Sequence, residues 1–546
     1  MTYVINCGVT PEEVTALKPN QVFVFGSNLA GQHGGGAARY AYKHFGAKMG
    51  VGVGPQGQSY AIPTMQGGVA TIKTYVDQFI AYARQNPQLH FLVTKIGCGI
   101  AGFPTKAISP LFAQALELAN VSLPREFIYD LRKLHHCISP QEYTCQQQAQ
   151  KGQAYTHAIP PMALDKIQGS LMLGAAGDAL GYAVEFNTLA WIRSQYGKDG
   201  ITHFQLDSQG RAICSDDTQM TLFTANGLLS AITRGETRGV MGPLESYLPY
   251  AYLDWYYTQT GKLNSNSLKF TWLRDLEPMR HQRAPGNTCL SACDSLLLGQ
   301  KVQNNSKGCG GLMRIAPVPL LYNRINSKGD QNFIHQMEKT ACEAARITHR
   351  HPLGFLPAGL MARVIYEAMN IPAGMSHLYY MDSSVINALN DLQYMYPGEY
   401  GEAKAKLAQL TKQAIVLAKS KTPDAEAIAQ LGEGWVADEA WAIAIFCAVR
   451  YQNNPALAIR AAVNHNGDSD STGSICGNII GALLGYDATR HLFCPEGRDL
   501  GDTLDLGCII LAIATDLASG CPLGNSPRPT PYQQLWHSRY CQMKPE

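Results

Sequence analysis

The sequence predicts a two-domain chain, an α/β layered module followed by a larger, mainly α-helical domain. Three observations carry this expectation. The chain has 546 residues, too many for one hydrophobic core. Between Val22 and about Asp130 short apolar runs alternate with helical patterns, the signature of an α/β layer fold. Beyond Pro161 nearly every patterned stretch is long and of period 3.6.

In the first domain, residues 1–132, strands are read at Val22-Phe23-Val24-Phe25, Phe91-Leu92-Val93-Thr94 and Phe127-Ile128-Tyr129, and helices over Thr71 to Arg84 and Lys106 to Ala119. Residues 133–161 are rich in glutamine (Gln141, Gln146, Gln147, Gln148, Gln150, Gln153), poor in apolar residues and closed by Pro160-Pro161, which reads as a linker. The second domain, residues 162–535, is patterned as helix over Gln219 to Ile232, Ala341 to Met369, Glu402 to Ser420 and Ala437 to Tyr451.

The formal net charge is +2, so no global field recruits an acidic membrane or nucleic acid, whose phosphates favour a basic face. Fifteen cysteines, an odd number without a repeated C-x-x-C and without a secretory leader ahead of them, predict free thiols in a reducing cytoplasm. Two runs of small apolar residues, Ile167 to Val184 and Ser474 to Leu484, are too short for a bilayer and are interrupted by Asp178 and Asn478. Their glycines matter more. Gly473, Gly477, Gly481 and Gly485 recur every four residues, and Gly174, Gly177 and Gly181 at spacings of three and four. Each glycine costs a helix about 1 kcal/mol relative to Ala, so two such stripes predict helix backbones packed unusually close.

Two acidic clusters, Ser215-Asp216-Asp217-Thr218 and Gly467-Asp468-Ser469-Asp470-Ser471, offer hard oxygen ligands without thiols, a set suited to Mg, Ca or Mn rather than Zn. Each stands where a loop runs into a helix, and Ser215 or Asp216 equally suits an N-cap. The second cluster imitates the opening of an EF-hand loop, but Ile479 stands where that loop needs its bidentate Glu. In the N-terminal module Gly97-Cys98-Gly99-Ile100-Ala101-Gly102 meets the bare Rossmann pattern. Pro104 in the early helix and the motif's late place in the unit exclude that reading.

The C-terminal motifs arrive in a recognisable order: Gly177-Asp178-Ala179-Leu180-Gly181 with Glu185, then Ser215 to Thr218, Lys307-Gly308-Cys309-Gly310-Gly311-Leu312-Met313-Arg314, Thr348-His349-Arg350-His351-Pro352, and Asn464 to Gly473. From about Met162 to Ala518 the chain resembles the ADP-ribosylglycohydrolase family of the dinitrogenase-reductase-activating glycohydrolase type. That resemblance implies an all-α hydrolase domain in which Ser215, Asp216, Asp217, Asp468, Asp470 and Ser471 hold two Mg ions, with Mn accepted by the same ligands. The family more often has Thr where this chain has Ser215 and Ser471. The ions would grip the vicinal ribose hydroxyls and position a water at the anomeric carbon. Glu185 and Asp217 would be the catalytic carboxylates, with Glu185 as acid/base. Gly308, Gly310 and Gly311 would approach a pyrophosphate through backbone N–H groups, and His349 and His351 would serve the adenosine side. The loop lacks the Gly-Lys-Ser/Thr ending of a nucleotide triphosphatase.

In the N-terminal domain Val22 to Asn28, Gly34-Gly35-Gly36-Ala37-Ala38 and the Gly97 to Pro104 loop resemble a macrodomain, a three-layer α/β module. The resemblance implies ADP-ribose binding by Asn28, Gly34, Gly35, Gly36, Gly97, Gly99 and Gly102. Hydrolysing macrodomains carry Asp two residues after a Gly-Cys-Gly, where this chain has Ala101, so recognition is implied rather than cleavage. The expected activity of the whole is Mg-dependent removal of ADP-ribose from an N- or O-linked acceptor on a modified protein or other macromolecule, leaving free ADP-ribose. The N-terminal module would hold or deliver the substrate. The alternatives are a non-catalytic ADP-ribose binder and a hydrolase of ADP-ribosylated nucleic acid or small ADP-ribosyl metabolites.

Overall fold

A computed structural model describes residues 2–4, 6–11, 13–134, 136–138, 161–262, 269–325, 330–371, 380–523 and 530–541. The chain divides into two compact units, the N-terminal one ending beyond strand β8 (His136–Ile138) and the C-terminal one containing helix α5 (Pro161–Tyr182).

The N-terminal unit is built on a six-stranded sheet in the order β2-β7-β6-β3-β5-β4. Its centre, β3 (Gln21–Ser27), pairs in parallel with β5 (Ser59–Pro63) and β6 (His90–Val93). The run Val22 to Phe25 is buried on both faces, as expected of a central parallel strand. Side-chain alternation splits it between two cores. Val22 and Val24 join Ile72, Val76 and Phe79 of α2 (Val69–Gln85), whereas Phe23 and Phe25 join Ala38 and Ala41 of α1 (Gly36–His44). The unit is therefore layered helix, sheet, helix. β7 (Val121–Leu123) and β2 (Gly8–Val9) extend the sheet in parallel, and β4 (Gly54–Gln56) closes the other edge antiparallel.

Three sequence-based assignments are corrected. Phe127-Ile128-Tyr129 is not a strand but lies in α4 (Arg125–Leu134), where Phe127, Ile128 and Leu131 form a buried stripe of helical spacing. Three apolar residues fit both periods, and Phe127 N donating to Pro124 O starts a turn instead. Lys106 to Ala119 is one α-turn, α3 (Thr105–Ile108), followed by a 3-10 segment, Ser109–Glu117, with Pro110, which has no N–H to donate, in its first turn. Ala341 to Met369 is two helices, α7 (Gln331–Arg346) and α8 (Pro352–Met369), divided where His351 caps the second. Of the Gln-rich stretch, Lys133 and Leu134 end α4 and His136–Ile138 pair with β1 (Thr2–Val4); residues 139–160 lie outside the described residues.

The C-terminal unit is helical around one continuous core. Its helices include α5, α6 (Asp216–Arg238), α7, α8, α9 (Tyr380–Asp391), α10 (Gly401–Lys419), α11 (Ala437–Arg450) and α12 (Ser469–Leu484). The segments Ile167 to Val184 and Ser474 to Leu484 fall in α5 and α12, and no helix among the described residues is long and apolar enough to cross a membrane. These two helices press backbone against backbone. A Cβ on Gly177 would stand 2.1 Å from Gly473 O, one on Gly477 2.2 Å from Leu173 O, and one on Gly481 2.0 Å from Gly169 O. The cysteines with described side chains are free thiols.

The obstructing atoms are backbone oxygens, which cannot swing aside. Gly177→Ala is therefore expected to destabilise the helical unit by about 1–3 kcal/mol through overpacking, outweighing the ~1 kcal/mol gained in helix propensity. Urea unfolding checks this, and an unchanged or raised midpoint would show that the two backbones are not in contact.

Candidate functional site

The α5–α12 contact brings the end of one helix to the start of another. Asp178, in the last turns of α5, is fully buried and receives Ser215 N (2.9 Å to Oδ1), Thr218 N (3.1 Å to Oδ2) and the Thr218 hydroxyl. It thereby pins the first turn of α6. Ser215 is the N-cap of that helix, its Oγ accepting from Asp217 N at 3.1 Å. Asp468 plays the same part for α12, accepting from Ser471 N at 3.2 Å. Each cluster thus supplies the N-cap of its helix, as expected for Ser215 and as the structure adds for Asp468.

The backbone of the first cluster is clamped from behind. Arg283 donates to Cys214 O (2.9 Å) and Pro278 O (3.1 Å) and pairs with Asp505 at 2.5 Å. Asp505 in turn accepts from Cys214 N at 3.1 Å, and Asp216 N donates to Arg283 O at 3.0 Å.

Glu185, Asp468 and Asp470 each bring an oxygen within 4.8 Å of the others, all three buried. Asp216 and Asp217 act on the same group. Burial pushes the Asp217 carboxyl far up, and Asp470, Asp178, Asp216 and Asp468 push it further. Burial and then Asp470 do the same to Asp216, and burial and then Asp468 to Asp470. Glu185 is raised to about 9 by burial, then by Asp470, Asp216 and Asp178. Glu185 Oε2 and Asp217 Oδ2 are buried without a hydrogen-bond partner. Five converging buried carboxylates with two orphaned oxygens require protons or cations, and an all-oxygen donor set fits hard divalent ions. The residues present thus fit a metal centre. The Ser471 hydroxyl lies beside Cys309 Sγ at 3.6 Å and Met313 Sδ at 4.0 Å.

The glycine loop borders this cluster directly: Cys309 Sγ donates to Asp468 Oδ2 at 2.7 Å. Gly308, Gly310 and Gly311 lie in and beside the 3-10 turn Cys309–Gly311. His349 lies beneath it, 2% exposed, its ring 3.2 Å from where a Gly308 Cβ would stand and 3.1 Å from that of Gly310. It pairs with the Thr348 hydroxyl at 2.9 Å, which accepts from buried Arg314 at 2.7 Å. The geometry gives His349 a supporting contact with the loop. His351 caps α8, its Nδ1 accepting from Leu353 N at 3.0 Å. Asp178, Arg283 and Arg314 received no role from the sequence; a charge inside an otherwise apolar helical run was the one available signal, for Asp178. At the rim, exposed Phe186 and Trp435 stack with centroids 6.1 Å apart, next in sequence to Glu185 and Gly434.

In the N-terminal unit a cleft of about 360 Å³ opens at the ends of β3, β5 and β6. Asn28, Gly34, Gly35, Gly36, Gly97 and Gly99 line it together with Ser27, Thr64 and Lys95. Gly102 does not line it; with φ +75° it closes the turn beneath, its N donating to Gly99 O at 2.9 Å. Asn28 spends its amide on its own loop, accepting from Gln32 N (3.0 Å) and donating to Gln32 O (2.9 Å).

A family model described as ADP-ribosylglycohydrolase matches residues 160–517. A solved structure described as an ADP-ribosylglycohydrolase-related protein complex is similar at 20% identity, covering 66% of this chain and 99% of that chain with a TM-score of 0.41.

Two outcomes follow from these electrostatics. In chelator, Asp470→Asn should raise the melting temperature by removing one buried like charge. With Mg at about 100 times its Kd the wild type should gain about 2.7 kcal/mol and the variant much less. Thermal scans with and without Mg check this, and equal Mg responses would exclude Asp470 as a ligand. Separately, burial and the Arg314 charge depress His349 from its ordinary 6.5 to about 3. Between those values the unfolded chain binds the proton and the folded chain does not, so stability falls as pH drops below 6.5, by about 1.4 kcal/mol per unit. His349→Gln should lose that component, so that its stability gap to wild type narrows between pH 7 and pH 5 in urea unfolding. A pH-independent gap would show that the imidazole is not held neutral.

Proposed function

Because the chain belongs to the ADP-ribosylglycohydrolase family, we propose that it releases ADP-ribose from an N- or O-linked acceptor on a modified protein, using two Mg ions held by Ser215, Asp216, Asp217, Asp468, Asp470 and Ser471. The family suggests hydrolytic removal of ADP-ribose and is usually metal-dependent. The observation that carries the finer reading is the convergence of Glu185, Asp468 and Asp470 at the edge of a glycine loop, with unpaired oxygens on Glu185 and Asp217.

Bound ions would neutralise the carboxylates and hold the ribose hydroxyls as Lewis acids. The chain's own groups do the rest. Glu185 takes a proton from the attacking water as the water oxygen bonds to the anomeric carbon. The bond from that carbon to the acceptor nitrogen or oxygen breaks, and the proton passes to the departing acceptor. Asp217, whose Oδ2 has no hydrogen-bond partner, would stabilise the positive charge that builds on the sugar. Backbone N–H groups of Gly308, Gly310 and Gly311 suit the pyrophosphate, with His349 beneath fixing their position and His351 closing α8 beside them. Phe186 and Trp435 offer a flat apolar face at the entrance.

The N-terminal unit is read as a macrodomain-like ADP-ribose-recognising module. Its three layers and its cleft, lined by Asn28, Gly34 to Gly36, Gly97 and Gly99, support that reading, and the cleft's size suits a small ligand.

The test is release of free ADP-ribose from proteins carrying arginine-, serine- or glutamate-linked ADP-ribose and from ADP-ribosylated DNA. Mg-dependent release from one protein linkage is expected, lost in Asp216→Ala/Asp470→Ala and slowed about 10²–10⁴-fold in Glu185→Gln. Release that survives chelator and the double substitution would overturn the assignment. In the same series Gly99→Glu, whose Cβ meets nothing within 4 Å, should abolish the ADP-ribose binding that persists in chelator. Unchanged binding would remove the N-terminal role.

A further inference from the structure

A second cluster of metal-ligating side chains lies on α7 and α9, built from residues outside the acidic motifs. His335 and Glu338 are three apart on α7 and so share one helix face, and Asp391 ends α9. One ligand atom from each lies within 4.8 Å of the others.

Glu338 is the informative member. Its side chain is 0% exposed, yet neither carboxylate oxygen has a hydrogen-bond partner. Arg363 stands 3.7 Å from Oε1, beyond hydrogen-bond distance, and spends its close contacts on Glu367 at 2.6 Å and Asp391 at 2.7 Å. Three carboxylates thus share one guanidinium, a formal excess of two negative charges in a largely buried network, which is the charge of one divalent cation.

The geometry of the other two ligands points the same way. His335 Nε2 and Asp391 Oδ2 are 3.9 Å apart, and the Gln331 amide nitrogen sits between them, 3.0 Å from the imidazole and 2.9 Å from the carboxylate. Two acceptor atoms therefore aim at one donor, supplied by the exposed side chain of Gln331. A cation there would displace that amide and gain Glu338 as its third ligand.

We propose that His335, Glu338 and Asp391 form a site for a divalent transition ion of the zinc class, separate from the all-oxygen cluster. Imidazole with carboxylate selects such ions over Mg. Three protein ligands leave a fourth position, and partly exposed His335 and Asp391 give the entry path. An ion here would tie α7 to α9 across Arg363 of α8.

The test is a Co(II) titration of the full-length, metal-stripped protein in excess Mg, which occupies the oxygen-only cluster. Wild type should bind one equivalent with the visible bands of a nitrogen and oxygen environment and without a thiolate charge-transfer band. The loss of a ligand should cost at least the about 10–100-fold that loss of a ligand's supporting contact costs, in both His335→Ala and isosteric Glu338→Gln. Gln331→Ala should keep the bands with equal or tighter affinity, because only the competing donor is gone. Zn should displace the cobalt. Absence of the bands in wild type, or the same bands and affinity in wild type and both ligand variants, would overturn the site.

Discussion

Two helices whose backbones touch govern the arrangement of the helical unit. Where Gly177 meets Gly473 and Gly477 meets Leu173, nothing larger than hydrogen separates α5 from α12. The contact fixes their relative translation as well as their distance, because each glycine must face a particular carbonyl. Asp178 and Glu185, at and just beyond the end of α5, are thereby set against Asp468 and Asp470 at the start of α12. A shift by one turn, ~5.4 Å, would remove Glu185 from that group altogether.

The electrostatic arrangement follows from that constraint. Four of the five carboxylates stand at helix N-termini, Asp216 and Asp217 on α6 and Asp468 and Asp470 on α12, where the helix dipole favours negative charge. This offsets part of their mutual repulsion but leaves two oxygens without partners. The Arg283–Asp505 pair lies behind the cluster and is neutral as a unit, so it stiffens the backbone at Cys214 without cancelling the charge. A fold that buries negative charge so consistently, and directs its basic groups to structural work, leaves a site that suits a positive ligand.

The features legible in the sequence were those encoded by local spacing. The glycine stripes announced close helix packing because Gly at every fourth position has no other helical rationale, and the first acidic cluster announced itself as a helix cap. Val22 to Phe25 was readable as a buried strand from its unbroken apolar run. Phe127 to Tyr129 was not, since three residues satisfy either period. The role of Asp178 was hidden because its partners, Ser215 and Thr218, are 37 and 40 positions away. Likewise His335 and Glu338 are visibly on one face, but only the packing of α9 adds Asp391. Asn28 adds a role that the sequence did not indicate: it lines the cleft and its amide also closes the loop that ends at Gln32.

Cys309 bears on why the first cluster suits an oxygen-bound ion although sulfur touches it. A thiolate beside Asp468 would draw zinc. Burial first, and then the Asp468 and Asp217 charges, push the Cys309 thiol well above its ordinary range. The sulfur therefore enters the cluster as a proton donor to Asp468 Oδ2, not as a ligand. The same negative field that makes the carboxylates demand a cation keeps the adjacent thiol protonated, so the donors left for an incoming ion are oxygens. The His335 cluster differs in donor type, because an imidazole nitrogen stands there with two carboxylates. Charge density and donor type thus distinguish the two clusters: one concentrates anionic oxygen and excludes sulfur, and the other adds nitrogen to a smaller anionic excess.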